Sequence, residues 1–520
     1  MSIRSPFPDV EVPDVALPTF LFGAGPGPDP AAPAIIDGPT GEVLSAGQLH
    51  AAVERVAAGL HALGVRPGDV LGLVGPNSPR WVLGFHGALR ANATVTTANP
   101  LYTTEELARQ FADSGARFVL TAAALRDKVV EAAAAAGLDA SSVLTLEPAD
   151  GHRCLDDLRE TGGAAPELVV GSGDTAVLPY SSGTTGRAKG VVLTHRNLIA
   201  NVLQFDRTVS ATRGSAQLAV LPLFHIYGMT VLMNHCLHTR APLATLPRFD
   251  LAEMLRLIAE HRVRKLYVAP PTVLALAKDE LIDSYDLSSL EIVFSGAAPL
   301  DGDLARALTA RLGCAVVQGY GMTEMSPVSH AVPEDRLDLD PASSGVALPG
   351  VEWRLVDPVT GQDVGPGERG ELWVRGPNVM AGYLNNPEAT AETLDADGYL
   401  HTGDIATASA EGALTIVDRV KELIKYKGYQ VPPAELEALL LTHPGLDDAA
   451  VVGVRDEHGE EVPKAFVVRR AGDEPTAAEV IAYVAERVAP HKKVRAVEFL
   501  DAVPKSASGK ILRNQLRRPS

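Results

Sequence analysis

The stretch Tyr180-Ser181-Ser182-Gly183-Thr184-Thr185-Gly186-Arg187-Ala188-Lys189-Gly190 lies between an apolar run ending near Pro179 and a second one, Val191-Val192-Leu193. Glycine admits close backbone approach, hydroxyls and amide N–H groups donate to oxygens, and Arg187 and Lys189 add positive charge, so the loop has the composition of a phosphate cradle. It is not a Walker A loop, because Gly186 and Lys189 are three apart and no Lys-Ser/Thr pair opens a helix. A phosphate loop carried between strands predicts an α/β architecture. The flanking sequence agrees: apolar runs at 70–74 and 117–120 precede helical patterns near 80–90 and up to Gly137, and runs at 176–178, 217–221, 265–268 and 291–294 continue the alternation. A Gly/Pro-rich segment at 23–33 contains a G-x-G without a preceding strand and reads as a loop.

After about Asp340 the pattern changes to glycine-punctuated β segments at 351–356 and 370–375, which predicts a β-rich subdomain. The last hundred or so residues read as an independent α+β unit. Pro433 opens a helix to Thr442, Thr476-x-x-Glu479 is a capping box, and strands fall at 449–454, 465–468 and 497–500. The expected organisation is a large N-terminal domain of layered α/β subdomains plus the β-rich subdomain, residues 1–418, and a small α+β C-terminal domain, residues 419–520.

Composition narrows the function. The chain has 520 residues, 46% of them apolar and 21% charged, as expected of a folded chain too long for one core. Its formal charge of −18 opposes nucleic acid and anionic membrane, so any phosphate site must be a local basic patch. Three widely spaced cysteines, Cys154, Cys236 and Cys314, suit neither a disulfide framework nor a zinc site and read as buried thiols. The N-terminus lacks a signal-peptide pattern, and the uncharged stretch 214–239 is interrupted by Pro222, His225, Asn234 and His235, which predicts a buried strand and core helix with no integral membrane contact. A cytoplasmic location is expected; monomer and homodimer both stay open.

Three further motifs carry chemistry. Gln318-Gly319-Tyr320-Gly321-Met322-Thr323-Glu324 follows a strand-like Ala315-Val316-Val317; an aromatic between glycines can lie against a nucleobase, and a carboxylate beside a hydroxyl can hold a hard cation. His401-Thr402-Gly403-Asp404 offers an acceptor for ribose hydroxyls, and Arg419, Lys421, Lys425 and Lys427 form a cationic patch for phosphates or a carboxylate. Pro504-Lys505-Ser506-Ala507-Ser508-Gly509-Lys510 is a second loop presenting a lysine, so two lysine loops far apart in sequence suggest a site closed between domains.

In this order the segments resemble the adenylate-forming superfamily of acyl-CoA synthetases, adenylation domains and luciferases, over nearly the whole chain. Within it the chain is most similar to the 4-coumarate:CoA ligases, through Leu221-Pro-Leu-Phe224-His225-Ile226-Tyr227, Leu246-Pro-Arg-Phe249-Asp250, Ser295-Gly296-Ala297-Ala298-Pro299-Leu300 and Lys421-Glu-Leu-Ile-Lys425-Tyr-Lys-Gly428. The resemblance implies an acid:CoA ligase that uses ATP, Mg²⁺ and coenzyme A and forms an acyl-adenylate before the thioester. It implies that Ser181, Ser182, Gly183, Thr184, Thr185 and Lys189 hold the pyrophosphate portion of ATP. Gln318, Gly319, Tyr320 and Thr323 would take the adenine and α-phosphate, Glu324 the magnesium, and Asp404 and Arg419 the ribose.

Lys510 would bridge carboxylate and α-phosphate. Lys421 would be the hinge of a mobile C-terminal domain, with Lys427 and Gly428 meeting coenzyme A and His225 near the carbonyl and the thiol's path. Tyr227, Ala297, Gly321, Pro327, Val328 and Lys425 fall where the acid is bound, and Val231, one helical turn beyond Tyr227, stands where some hydroxycinnamate ligases carry a polar residue. The small residues suit a hydroxycinnamate or related aryl acid. A medium-chain fatty acid, and delivery of the adenylate to a carrier-protein thiol, stay open at this level.

Overall fold

In the computed structural model, which describes residues 2–25, 27–181, 188–210, 214–419, 422–426, 429–456, 461–488, 490–506 and 509–517, the expected alternation of strands and helices is realised. Among these residues one sheet runs Gly382–Tyr383, Lys189–Thr194, Thr175–Val177, Thr94–Ala98, Val70–Val74, Ala116–Thr121, Val143–Thr145, and Tyr180–Ser181 pairs with Lys189–Thr194. Its central pairings are parallel, but Lys189–Thr194 runs antiparallel to both of its path neighbours. Lys189 and Gly190 also face Ser181 and Tyr180 in an antiparallel pairing.

A further sheet carries the parallel strands Lys265–Val268, Ile292–Ser295 and Ala315–Gly321, then antiparallel Val328–Ala331 and Val346–Ala347. The β-rich subdomain is an antiparallel sheet ordered Ile3–Arg4, Glu352–Val356, Gly370–Arg375, Leu400–Ala408, Leu414–Arg419. Its first member comes from the N-terminal segment, where Ile3 faces Trp353; nothing in the sequence pattern announced that pairing. The C-terminal unit packs helices Pro433–Leu441 and Ala477–Ala485 on strands Leu446–Arg455, Glu461–Arg469 and Ala496–Phe499, around a cluster that includes Leu436, Leu440, Val451, Val467 and Val480.

The stretch 214–239 folds as a strand, Gln217–Ala219, and then a buried π-helix, Gly228–Asn234, running into His235–Thr239. No helix among the described residues is long and apolar enough to cross a membrane. All three cysteines are buried and unbridged, and burial pushes the Cys314 thiol up to about 11.

Helix His195–Thr208 does much of the positioning. Thr194 caps it by accepting from Asn197 N, a contact of a type that contributes roughly 1 kcal/mol. Its buried face carries Asn197, Asn201 and Gln204, whose amides donate to Pro377 and Val379 O, to Val328 O, and to Pro349 O. The same helix anchors the N-terminal segment: His195 Nδ1 accepts from Leu17 N at 3.2 Å.

Burial lowers His195 to about 4 and His86 and His330 to about 3, so all three are neutral when folded at pH 7. The unfolded chain takes up their protons as pH falls through the ordinary histidine value. Stability is therefore full above about 6.5 and is lost toward pH 4, with each histidine contributing a slope of up to about 1.4 kcal/mol per pH unit. Urea midpoints at pH 7.5, 6 and 5 are expected to fall steadily, and less steeply in His195→Gln; equal midpoints would show that these rings are not held neutral.

Candidate active site

At the carboxyl ends of the parallel strands Lys265–Val268, Ile292–Ser295 and Ala315–Gly321, where ligands of open α/β sheets commonly bind, lies a cavity of about 510 Å³. The structure brings His225, Tyr227, Ala297, Gly319, Tyr320, Gly321, Thr323, Pro327, Val328 and Lys510 to its walls, ten of the residues expected at the site. Ile226, Phe294, Gly296 and Met322 complete it. Val231 is buried but does not line it.

Backbone makes much of this wall because side chains have no room there. A Cβ on Gly296 would stand 2.9 Å from the Tyr227 ring, one on Gly319 2.5 Å from Phe294 Cζ, and one on Gly321 2.3 Å from Pro327 O. The result is a cavity lined by backbone at Gly296 and the Gly319–Gly321 strand end, with the Tyr227 ring against Gly296. Asn201 holds the neighbouring strand by accepting from Val328 N and donating to Val328 O, at 3.0 and 2.7 Å; Val328 pairs with Gly321. Lys510 arrives from the C-terminal unit, where Ser506 Oγ accepts from its backbone N and the neighbouring Gly509 packs against Ala269 and Pro271.

His225 stands between this cavity and a second one of about 300 Å³, lined by residues including Asn99, Gln110 and Phe224. Desolvation, and then the charge of Lys510, lower its imidazole to about 4. Its Nδ1 accepts from Tyr227 N at 3.3 Å, which leaves the proton of the neutral ring on Nε2.

On the phosphate side, Tyr180 donates to Asp113 at 2.6 Å, and Ser181 Oγ is buried without a hydrogen-bond partner. The Lys189 ammonium lies 4.6 Å from the centre of the Tyr383 ring, and the Tyr383 hydroxyl donates to Glu324 Oε1 at 2.9 Å. Tyr320 donates to Asp404 Oδ2 at 2.5 Å, which ties the aromatic wall to the β-rich sheet. Gln318 differs from the expectation. Its carboxamide is buried, accepting from Leu300 N and donating to Leu300 and Pro341 O, so the side chain braces loops and does not face the cavity.

Magnesium suits this donor set. Glu324 is 4% exposed, next to the Thr323 hydroxyl, and among the described residues no cluster of three or more His, Cys, Asp or Glu could cage an ion. One carboxylate that leaves the remaining positions to water and phosphate oxygens is the usual protein share of a Mg²⁺ site.

Ser182, Gly183, Thr184, Thr185, Lys421, Lys427 and Gly428 lie outside the described residues, as do the side chains of Arg419 and Lys425. Backbone alone places Arg419 opposite Asp404 and Lys425 opposite Gln430.

Comparison with known proteins identifies the family. Residues 27–384 match the family model for AMP-binding enzymes, and residues 435–510 match the AMP-binding enzyme C-terminal domain. The chain is 41% identical to 4-coumarate–CoA ligase 4 of Arabidopsis thaliana, over 99% of this chain and 93% of that protein. It is 42% identical to 4-coumarate–CoA ligase 3 of Oryza sativa, over 99% and 94%. ATP-bound MatB from Rhodopseudomonas palustris superposes with a TM-score of 0.88 at 32% identity, covering 97% of this chain and 98% of that one. A benzoate CoA ligase from Burkholderia xenovorans superposes at 0.87 with 27% identity, covering 97% and 100%.

The tight contact at Gly319 is open to test. Gly319→Ala would push against Phe294 in the cavity wall, and overpacking of this kind costs about 1–3 kcal/mol. A lower melting temperature and weaker acid binding, read by calorimetry, are expected together; a variant unchanged in both would show that the wall yields.

Proposed function

We infer that this chain, which belongs to the AMP-binding enzyme family and is an ATP-dependent acid–thiol ligase working through an acyl-adenylate, takes 4-coumarate or a related hydroxycinnamate or aryl acid. The observation that carries the substrate reading is the glycine-walled cavity lined by Tyr227, Phe294 and the Gly319–Gly321 strand end. A planar ring suits it, and the names of the relatives point the same way.

In the first half-reaction a carboxylate oxygen of the acid attacks the α-phosphorus of ATP, the bond to the bridging oxygen breaks, and pyrophosphate leaves. Lys510 is the cation placed where negative charge spreads over the carboxylate and α-phosphate oxygens, a preorganised role that lowers the barrier without reorganisation. Lys189 and Ser181 serve the departing pyrophosphate. Tyr320, set by its bond to Asp404, offers a face to the adenine, and Asp404 an acceptor to the ribose. Glu324 is the ligand for Mg²⁺, which when bound neutralises phosphate oxygens.

In the second half-reaction the thiolate sulfur of coenzyme A attacks the carbonyl carbon and AMP leaves. The cavity behind His225 suits the thiol's approach, and the ring, carrying its proton on Nε2, is a hydrogen-bond donor suited to the carbonyl oxygen. Lys510 would then withdraw with the C-terminal domain, residues 419–520, turning at Lys421 to bring Lys427 and Gly428 to the coenzyme, while Lys425 serves the acid. Three buried thiols support a reducing, cytoplasmic setting.

Offered 4-coumarate, cinnamate, benzoate and octanoate together with Mg·ATP and coenzyme A, the purified protein is expected to give coumaroyl-CoA preferentially by mass spectrometry. Dominant octanoyl-CoA would overturn the substrate, and pyrophosphate release without thioester would point to a carrier-protein acceptor. Lys510→Ala should lower adenylate formation by about 10²-fold or more, the scale of a lost charge-stabilising donor, and leave thioester formation from supplied acyl-AMP within a few-fold. Equal loss in both steps would remove Lys510 from its assigned role.

A further inference from the structure

Tyr383 belongs to none of the motifs that carry the phosphate and metal chemistry, yet it touches both. It sits on the two-residue strand Gly382–Tyr383, which pairs antiparallel with the strand leaving the phosphate loop, Val191 facing Tyr383 and Val192 facing Gly382. The surrounding backbone forms a clamp. Ala381 N donates to Val192 O, Leu384 N to Gly190 O, and Met380 N to Glu324 O, at 3.0, 2.8 and 2.9 Å. One short segment therefore stitches the exit of the phosphate loop to the Glu324 turn.

At its centre the Tyr383 side chain has a different partner on each part. The ring face lies under the Lys189 ammonium, 4.6 Å from Nζ to centroid, where the quadrupole of the ring attracts a cation. The hydroxyl donates to Glu324 Oε1 at 2.9 Å, and Thr390 Oγ1 accepts from Tyr383 N at 2.9 Å and fixes the backbone. Burial and the neighbouring carboxylate hold the phenol above its ordinary range, so it stays protonated and a donor.

Lys189 lies over the face of the Tyr383 ring and Glu324 meets its hydroxyl, and no ion pair joins Lys189 to a carboxylate among the described residues. A lysine and a buried carboxylate that share one neighbour attract each other, since a flexible ammonium gains most by meeting an anion directly. We propose that Tyr383 is a positioning residue that keeps Lys189 and Glu324 apart and aims both at the incoming nucleotide, the ammonium at its phosphates and the carboxylate at their divalent cation. This rests on reading Lys189 and Glu324 as the phosphate and metal groups of the site.

Two variants separate the halves of the role. Tyr383→Phe keeps the ring under Lys189 and deletes the donor to Glu324, whereas Tyr383→Leu removes both. The readouts are binding measurements without acid, so no turnover occurs: Mn²⁺ affinity in the presence of ATP by electron paramagnetic resonance, and metal-free ATP affinity by calorimetry in EDTA. Tyr383→Phe is expected to weaken Mn²⁺ about tenfold, the scale of one hydrogen bond to a charged group, and to leave metal-free ATP within twofold. Tyr383→Leu is expected to weaken both. A general loss of structure would not split the two affinities in this way, and melting temperatures identify any variant that fails to fold. If Tyr383→Phe binds Mn²⁺ like the parent while Glu324→Gln loses it, the positioning role is overturned and the site reading stands. If Glu324→Gln and Lys189→Met also bind like the parent, the site reading falls and the proposal with it.

Discussion

Loops that wall a buried cavity present backbone N–H and C=O groups that no strand ladder pairs, and each one left unsatisfied costs free energy comparable to a lost hydrogen bond. In this protein side-chain amides do that pairing. Gln318 holds Leu300 and Pro341, Asn201 holds Val328, Asn197 and Asn378 hold the segments around Pro377–Val379 and Met325, and Asn77 holds Ala219, Leu221 and Leu223 just before His225. An amide offers a donor and an acceptor in one plane, so it can replace a strand neighbour for a backbone that has none. The cavity wall, the approach to His225 and the Glu324 turn all hang on these bonds.

The second constraint is electrostatic. A chain with a formal charge of −18 must bind polyphosphate with few cations, so each must stay available and in place. Among the described residues Lys189 has a partner that does not cancel its charge. Lys189 rests on an aromatic face, and Lys510 reaches the cavity beside an imidazole that burial keeps neutral. A charged imidazole at that position would repel Lys510 from the carboxylate it is placed to meet.

What was legible in the sequence follows from which interactions are local. The phosphate loop, the Gln318–Glu324 segment and the Lys510 loop are contiguous, so the chemistry proposed for them is read from residue types without a fold; strands at 70–74 and 265–268 coincide with the observed ones because alternation and turn residues are short-range signals. Tyr383, Asn201 and Phe294 were not legible, because each acts through a partner far away in sequence. Gln318 shows the same limit: its carboxamide is taken up by Leu300 and Pro341, partners on loops that the motif itself does not reveal. A core helix was expected in 214–239, but its π form at Gly228–Asn234 was not readable, because seven residues buried all round, Thr230 and Asn234 among them, show no periodicity. The pairing of Ile3 with Trp353 depends on an edge that forms only after the β-rich sheet exists.

The placement of His225 shows how two chemical steps can share one carbonyl. His225 lines both cavities, so a ligand in either meets the same residue. Its Nδ1 is engaged by the Tyr227 backbone, which excludes that nitrogen from proton traffic and fixes the ring relative to the phenol of the same residue. A base for the thiol would need a free lone pair, and this tautomer has none to offer; a donor for the carbonyl oxygen needs only Nε2–H.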